Sequence, residues 1–219
     1  MRKIFASIFA VSLLLTQSIA LADVAPPKDP FTDVRFGKEL FAPAADRLKD
    51  AGIIIGYANG SFKPHNQINR AEFLKIVMTA SHQSEVDEAV KIFTLIDIKP
   101  GNCLSKVLKD LPCYGAWFTP YVNVAFEKKI IAGYPDKTFR ASSNINFGEA
   151  SKVVLSAFGY QVAQGVTPWY KSSIDTLNSY ITVPSTVKGP GHLLTRAEMV
   201  QIIASMMDYH EAQTYKNNP

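Results

Sequence analysis

Apolar residues recur at helical spacing in several segments of the chain, and three of these segments begin in the same way. Their starts read Ile68-Asn69-Arg70-Ala71-Glu72, Ile145-Asn146-Phe147-Gly148-Glu149 and Leu194-Thr195-Arg196-Ala197-Glu198. In each, Asn or Thr occupies the position of a helix N-cap and Glu follows three residues later, which is the capping-box pattern. We therefore predict three helices with structural caps formed by Asn69, Glu72, Asn146, Glu149, Thr195 and Glu198.

A shorter amphipathic helix is predicted before the first of these starts. Residues 39–51 carry apolar side chains at helical spacing, and Gly52 suits the left-handed position that ends a helix. A buried extended run at 53–55 then leads to Gly56-Tyr57 and to a turn marked by Asn59-Gly60. Residues 85–95 form a candidate extra helix. The expected unit is therefore helix, loop and helix.

The first unit reappears 77 residues later without a gap, so that Gly56-Tyr57 correspond to Gly133-Tyr134. The front of the unit, Phe31-Thr32-Asp33-Val34, is matched with Leu95-Ile96-Asp97-Ile98, which leaves an inserted loop at 98–116. A third unit keeps Trp169-Tyr170, the counterpart of Trp117-Phe118, but it lacks the Gly-Tyr loop. The chain is thus expected to contain three repeats, the third degenerate.

The combined pattern resembles the S-layer homology (SLH) domain over residues 31–209. It is carried by Gly52-Ile53-Ile54-Ile55-Gly56-Tyr57 together with Thr195-Arg196-Ala197-Glu198. The resemblance implies a mainly α fold, with three helix–loop–helix repeats and short extended segments in a pseudo-threefold spindle. The repeats are placed at 31–82, 83–160 and 161–210, between an extended lead-in at 23–30 and a flexible tail at 211–219.

The resemblance also implies a function and a ligand. Members of the family attach non-covalently to the bacterial cell surface, through a secondary cell-wall polysaccharide that often bears ketal-linked pyruvate, or through peptidoglycan. Ligand grooves are expected between neighbouring units, and no cofactor is expected. Other envelope proteins are possible partners, which leaves open an alternative function as a structural or assembly protein of the cell envelope that uses the spindle for protein–protein contacts.

Two arginines are the leading candidates for binding an anionic glycan. Arg70 and Arg196 occupy the first helical position, where a cation opposes the helix dipole. An anion held between the guanidinium and free backbone N–H groups would explain them, and a planar carboxylate suits bidentate binding by arginine. The alternative is that each arginine pairs with a nearby acid or packs on an aromatic ring. Because the second unit has Phe147 here, its groove is predicted to lack the anion contact, leaving at most two anion-binding grooves.

The remaining glycan-binding candidates are aromatic residues and glycines: Tyr57, Tyr134, Trp117, Trp169, Gly56 and Gly133. Aromatic faces stack on sugar rings, although Trp is more often a packing anchor, and the turn alone would explain the glycines. Asp33 and Asp97 are expected to cap or brace the first helices.

The N-terminal residues, the net charge and the cysteines indicate the compartment in which the protein is expected to work. Residues 1–22 resemble a signal peptide, with Arg2 and Lys3 before an apolar stretch and Ala20-Leu21-Ala22 as the cleavage site. Without it, the formal charge falls from +4 to about +2, which gives no support for nucleic-acid binding. No further segment is apolar enough to span a membrane. Cys103 and Cys113 are expected to form a disulfide in an exported protein, and with no His nearby they do not suggest a metal site.

Two other classes of function are disfavoured by the sequence. An exported hydrolase would need clustered catalytic groups, but the four histidines are scattered and no Gly-x-Ser-x-Gly motif is present. A calcium-binding repeat is disfavoured because Asp136-Lys137-Thr138 lacks the ligand spacing of an EF-hand loop. The protein is therefore not expected to be an enzyme.

Overall fold

The structure is a computed structural model that describes residues 28–95, 108, 116–163 and 165–217, with the backbone alone for 91–95. The described residues form seven helices and no β-strand. None of these helices combines the length and apolar character needed to cross a lipid bilayer. The helices are α1 (Ala42–Asp50), α2 (Arg70–Ser81), α3 (Gln83–Leu95), α4 (Thr119–Glu127), α5 (Phe147–Ala157), α6 (Lys171–Tyr180) and α7 (Arg196–Asn217).

The helices pair in a cyclic order that confirms the predicted arrangement of three helix–loop–helix units. The units are α1 with α2, α4 with α5, and α6 with α7, and α3 is the extra helix expected between the first two. The second helix of each unit packs on the first helix of the next: α2 on α4, α5 on α6, and α7 on α1. Each unit therefore depends on both neighbours for its buried face.

A closed ring of backbone hydrogen bonds joins the three units at the residues just before the N-caps. Ile68 N–H donates to Leu194 O (3.0 Å), Leu194 N–H to Ile145 O (3.1 Å), and Ile145 N–H to Ile68 O (3.1 Å). The three side chains are buried, with at most 2% of their surface exposed. The same apolar position in each repeat thus builds a pseudo-threefold centre, in agreement with the predicted spindle.

The caps form as the sequence indicates. The Asn69 and Asn146 side chains accept hydrogen bonds from the N–H groups of Glu72 (2.8 Å) and Glu149 (2.9 Å). In α5 the Glu149 carboxylate also accepts from Asn146 N–H, which completes the box. In α7 the Thr195 N–H donates to the Glu198 carboxylate (2.8 Å). These residues start the second helix of every unit.

The front of the second unit differs from the predicted alignment. Leu108 is buried beside Gly133, just as Phe31 is buried beside Gly56. Leu108 is therefore the counterpart of Phe31, and the offset of 77 residues extends to the front of the unit. The match of Phe31 with Leu95 is wrong, because the extra residues precede 108 instead of following Asp97.

Three local expectations also need correction. Helix α1 begins at Ala42 rather than at 39, with a proline in its first turn. In the extended run, Ile53 and Ile54 are buried, but Ile55 is 79% exposed. Helix α7 does not fray after His210 but continues to Asn217. Its extension is held by Arg47 of α1, which pairs with Asp208 and with Glu211.

Candidate functional site

Each of the two candidate arginines lies on the loop of a neighbouring unit. Arg196 Nε donates to Phe62 O (2.7 Å), and its guanidinium lies 5.0 Å from the ring centre of Tyr57. Arg70 Nε donates to Phe139 O (2.9 Å), and its guanidinium lies 4.7 Å from the ring centre of Tyr134. The third unit therefore completes the loop of the first, and the first completes the loop of the second.

The helix N-termini are not open to a ligand, which overturns the reason given for expecting an anion there. The first N–H groups of α2, α5 and α7 are all used between units. The bonds run from Arg70 N to Ser143 O (2.9 Å), Ala71 N to Ala141 O (3.0 Å), Phe147 N to His192 O (2.8 Å), Gly148 N to Pro190 O (2.9 Å), Arg196 N to Asn66 O (2.9 Å) and Ala197 N to Pro64 O (2.9 Å). An anion would have to be bound by side chains instead.

Both arginines also contact the capping glutamate of the neighbouring unit, but with different geometry. Arg70 Nη1 lies 3.1 Å from the Glu149 carboxylate, whereas Arg196 Nη1 lies 3.8 Å from that of Glu72. The Tyr134 hydroxyl donates to Glu149 at 2.6 Å. Burial and this hydrogen bond together raise the pKa of Tyr134. The second loop therefore has a tight Arg–Glu–Tyr cluster, and the first loop has a looser pair.

A cavity of about 420 Å³ lies beside the looser pair. It is lined by residues 52–57 of the first unit and by four residues of α2, which are Glu72, Lys75, Ile76 and Thr79. Trp117 and Tyr121 approach from the second unit, and Arg196 from the third. The side chains that matter for its chemistry are Tyr57, Glu72, Lys75, Trp117, Tyr121 and Arg196. All three units contribute to this one cavity.

The two tryptophans are on the surface rather than in the core. Trp117 is 51% exposed and Trp169 is 55% exposed, and each meets the following aromatic ring edge-on. A side chain this exposed contributes little as a packing anchor, so the packing interpretation is disfavoured for both. Trp117 lines the cavity, and Trp169 holds the same register in the third unit.

The two glycines of the loops are explained by packing and backbone conformation. Gly56 and Gly133 have φ angles of 72° and 75°. A Cβ on Gly56 would lie 2.6 Å from the Phe31 ring, and a Cβ on Gly133 would lie 2.5 Å from the Leu108 side chain. The turn and the buried side chain beneath it therefore require glycine at both positions.

The third interface, between units two and three, lacks the arginine found at the other two. The tryptophan position is replaced elsewhere, in the first unit, where Leu40 is 95% exposed, whereas at this interface Phe147 occupies the arginine position and is 4% exposed. The predicted loss of an arginine contact therefore falls at this interface. It does not fall at the Gly133-Tyr134 loop of the second unit, which receives Arg70 from the first.

In the third unit, the capping glutamate pairs with a histidine of the same unit. Both carboxylate oxygens of Glu198 lie 3.0 Å from His192 Nε2. Burial raises the pKa of Glu198, but hydrogen bonds from Thr195, Thr186 and His192 outweigh it and leave the pKa below its ordinary value. This buried cluster lies within the third unit and contains no arginine.

Asp33 has a structural role that differs from the expected helix cap. Its carboxylate accepts hydrogen bonds from the N–H groups of Phe62 (2.7 Å) and Lys63 (2.8 Å), whereas the N-cap of α1, Phe41, makes no side-chain capping hydrogen bond. Asp33 therefore fixes the loop that receives Arg196. Asp97 lies outside the described residues, and Asp110 holds the register position of Asp33 in the corrected alignment.

Two further predictions concern residues outside the described part of the chain. The signal peptide at 1–22 and the disulfide between Cys103 and Cys113 both fall there, and they stay predictions. The sequence analysis also missed two cavity residues, Lys75 and Tyr121. Lys75 could have been noticed, because Lys152 occupies the same position of the second unit.

Comparison with known proteins identifies the repeat. Residues 30–74 and 108–151 match the S-layer homology domain. These two segments are SLH repeats. The second match begins at Leu108, in agreement with the register that the structure assigns. The third unit is tied to these two SLH segments by the ring of backbone hydrogen bonds.

Several bacterial surface proteins are similar to this SLH chain. A middle cell wall protein of Brevibacillus brevis is 26% identical over 93% of the chain and 18% of its own length. A surface layer protein of Brevibacillus choshinensis is 26% identical over 87% of the chain and 15% of its own length. A cellulosome-anchoring protein of Acetivibrio thermocellus is 30% identical over 49% of the chain and 21% of its own length. The chain thus spans less than a quarter of the length of each.

Proposed function

We propose that this SLH chain attaches non-covalently to the bacterial cell wall by binding an anionic wall polysaccharide in the cavity at the first loop. The observation that carries the proposal is the composition of the cavity. It places two cations, Arg196 and Lys75, beside the exposed face of Trp117 and the ring of Tyr57. Aromatic faces suit the apolar faces of sugars, and arginine and lysine suit an acidic substituent such as a pyruvyl ketal.

The charges of the cavity favour an acidic glycan over a neutral one. Of the charged side chains that line it, two are basic and one, Glu72, is acidic. Arg196 lies 3.8 Å from Glu72, at the long end of the range for an ion pair. An incoming carboxylate can therefore reach its guanidinium without first breaking a short salt bridge.

The similar proteins support a location at the cell surface. Their names describe a cell wall protein, a surface layer protein and a cellulosome-anchoring protein. Four of the cavity residues lie within the two segments that match the SLH domain: Tyr57 and Glu72 within residues 30–74, and Trp117 and Tyr121 within residues 108–151. We accordingly propose that the chain works outside the cytoplasm, on the wall.

A sedimentation assay with purified cell walls tests this function. The chain should sediment with intact walls, and less of it should sediment after chemical removal of the polymer that is not peptidoglycan. Undiminished binding after that removal would identify peptidoglycan as the ligand and contradict a polysaccharide site. Failure to sediment with any wall preparation would contradict attachment altogether and favour a role in protein–protein assembly.

The chain itself supplies a matched pair of variants for the same assay. Trp117→Leu introduces the residue found at the same position of the first unit, Leu40, and it should weaken wall binding about fivefold. Leu40→Ala changes a side chain that is 95% exposed and is not part of the lining of the cavity, and it should leave binding unchanged. If the two variants bound the walls equally well, the cavity would not be the binding site, even if the wild-type chain sediments with the walls.

A further inference from the structure

Among the described residues, four that are not glycine adopt the left-handed backbone conformation, and all four are basic. They are Lys63, Lys129, Lys137 and Arg140, with φ angles of 55°, 60°, 61° and 58°. A residue with a Cβ is strained in this conformation, and such strain is found where the surrounding structure requires it. Each of these positions therefore calls for a reason.

Comparison of the first two units separates these positions. Lys129 and Lys137 correspond to glycines of the first unit, which have φ angles of 71° and 78°. The repeat therefore accepts glycine at these two positions. Lys63 corresponds to Arg140, so neither unit has glycine there, although the backbone conformation favours it. At this third position the side chain, rather than the backbone, must account for the residue present.

The side chains of Lys63 and Arg140 each lie over the tyrosine of their own loop. The Lys63 ammonium is 4.2 Å from the ring centre of Tyr57, and the Arg140 guanidinium is 4.0 Å from that of Tyr134. Both distances are within the range of a cation–π contact. The other two strained lysines form no such contact with any ring in the described part of the chain. The strained backbone therefore places a cation on the tyrosine of each loop.

The backbone at Lys63 is held on both sides by hydrogen bonds. Its N–H donates to the Asp33 carboxylate (2.8 Å), and its carbonyl accepts from Asn66 N–H (3.1 Å). The Asn66 carbonyl in turn accepts from Arg196 N–H (2.9 Å), at the start of α7. All the bonds at residue 63 are made by its backbone atoms, so they can form without the lysine side chain.

The side chain of Tyr57 is held differently from that of Tyr134. The Tyr134 hydroxyl donates to Glu149 at 2.6 Å, whereas the Tyr57 hydroxyl makes no hydrogen bond to any described residue. The Tyr57 ring instead meets two cations, Lys63 at 4.2 Å and Arg196 at 5.0 Å. Tyr57 lines the cavity, and Lys63 is not part of its lining. Lys63 is therefore placed to affect the cavity through the position of the Tyr57 ring.

We propose that Lys63 is a positioning residue for wall binding, whose ammonium holds the Tyr57 ring in the orientation that contacts a sugar of the wall polysaccharide. The proposal rests on the function proposed above, and it concerns the aromatic contact with the sugar rather than the charge of the glycan. It explains why a strained residue stands where glycine would relieve the strain. Backbone stability is given up at this position for the geometry of the cavity.

Three variants of the full chain test this role. Lys63→Asn removes the cation, and asparagine tolerates the left-handed conformation without the flexibility of glycine. Lys63→Arg introduces the residue of the second loop. Lys137→Asn relieves the same strain and removes the same charge at a position that contacts no described ring. The thermal midpoint should be about 1–3 °C higher for Lys137→Asn and no lower than wild type for Lys63→Asn. A lower midpoint for Lys63→Asn would mean that the lysine serves the fold.

The Tyr57 ring reports its own position in the free protein. The NMR signals of its ring protons should shift in Lys63→Asn, move back towards the wild-type values in Lys63→Arg, and stay unchanged in Lys137→Asn. Unchanged ring signals in Lys63→Asn would overturn the proposal, whether or not the chain binds walls.

The binding probes are the soluble polymer released from the walls and the same polymer with its carboxyl groups converted to methylamides. Calorimetric titration should show about fourfold weaker binding of the released polymer by Lys63→Asn, with Lys63→Arg within about twofold of wild type and Lys137→Asn unchanged. The amidated polymer should show the same fourfold ratio between wild type and Lys63→Asn, because the lysine acts through the ring. A loss confined to the acidic polymer would mean that Lys63 acts through its charge and would overturn the proposal.

The outcomes separate this inference from the proposed function. If wild type binds neither walls nor released polymer, the proposed function fails and the role of Lys63 fails with it. If wild type binds and Lys63→Asn binds equally well, only the inference fails. It also fails if Lys137→Asn weakens binding as much as Lys63→Asn, because the loss of one positive charge would then explain both.

Discussion

The loops of the first and second units share a sequence motif, but they present it differently. At the second loop, Arg70, Glu149 and Tyr134 are joined by a 3.1 Å ion pair and a 2.6 Å hydrogen bond. At the first loop, the equivalent Arg196–Glu72 separation is 3.8 Å, and a cavity lies beside it. The same residue types therefore hold two units together in one place and line the proposed ligand site in the other.

This contrast separates the residues of the repeat that stabilise the fold from those that line the cavity. The ring at Ile68, Ile145 and Leu194 is present at all three interfaces, so it belongs to the fold. Each arginine helps to hold two units together, and Arg196, which has the looser contact with its glutamate, also lines the cavity. Two residues of the cavity, the exposed Trp117 and the half-buried Lys75, can be changed with little expected effect on the fold. They are therefore the sharper probes of function.

The largest expected effect on stability is that of Arg70→Ala. The substitution leaves Glu149, whose side chain is 15% exposed, without its cation, and it should cost about 3 kcal/mol. Arg196→Ala should cost less, about 1–2 kcal/mol, because Glu72 is 32% exposed and farther away. Equilibrium unfolding in urea measures both. Equal losses would show that the two pairs do not differ in strength and would weaken the comparison.

The third unit should be sensitive to acid through Glu198. Its pKa in the folded protein is depressed, so its contribution to stability is complete above the pKa of the unfolded chain, about 4.5. The contribution is lost as the pH falls through the lower, folded value. Glu198→Gln should cost about 1–2 kcal/mol at pH 7, and the difference from wild type should shrink between pH 4.5 and pH 3. Urea midpoints measured across this range check it, and a constant difference would contradict the role of the carboxylate.

The end of the first helix in each unit offers a smaller test. Gly52 and Lys129 occupy the same left-handed position after α1 and α4, with φ angles of 71° and 60°. Because lysine is strained there, Lys129→Gly should stabilise the protein by about 1 kcal/mol, and Gly52→Ala should destabilise it by a similar amount. Thermal unfolding would show opposite shifts. Shifts of the same sign would mean that contacts with neighbouring residues, rather than the backbone conformation, determine which residue is preferred at this position.

The repeats and the helix starts could be predicted from the sequence, because caps, glycine stops and helical spacing are local signals. Which units contact each other's loops could not be predicted from the sequence. Arg70 and Tyr57 belong to the same unit, yet Arg70 contacts Tyr134 and Tyr57 receives Arg196. A clue was present, since Phe147 replaces arginine in the unit whose following neighbour has lost the Gly-Tyr loop.

The site itself was predicted in part. Arginine and tryptophan were recognised because they recur at fixed positions, but the free N–H groups that were expected to bind the anion are occupied by carbonyls of a neighbouring unit. That occupation depends on tertiary contacts between segments such as Ser143 and Arg70, which no local pattern reports. Lys75 was overlooked because lysine on a helix is normally a solvated side chain.

The most direct test of the central claim compares Trp117→Leu with Trp169→Leu in binding to the released wall polymer. The two residues are equally exposed and hold the same register, but only Trp117 borders the described cavity at the looser Arg–Glu pair. The account predicts about fivefold weaker binding for Trp117→Leu and a change of less than about twofold for Trp169→Leu. Equal losses, or a larger loss for Trp169→Leu, would contradict the assignment of the binding site to the first loop.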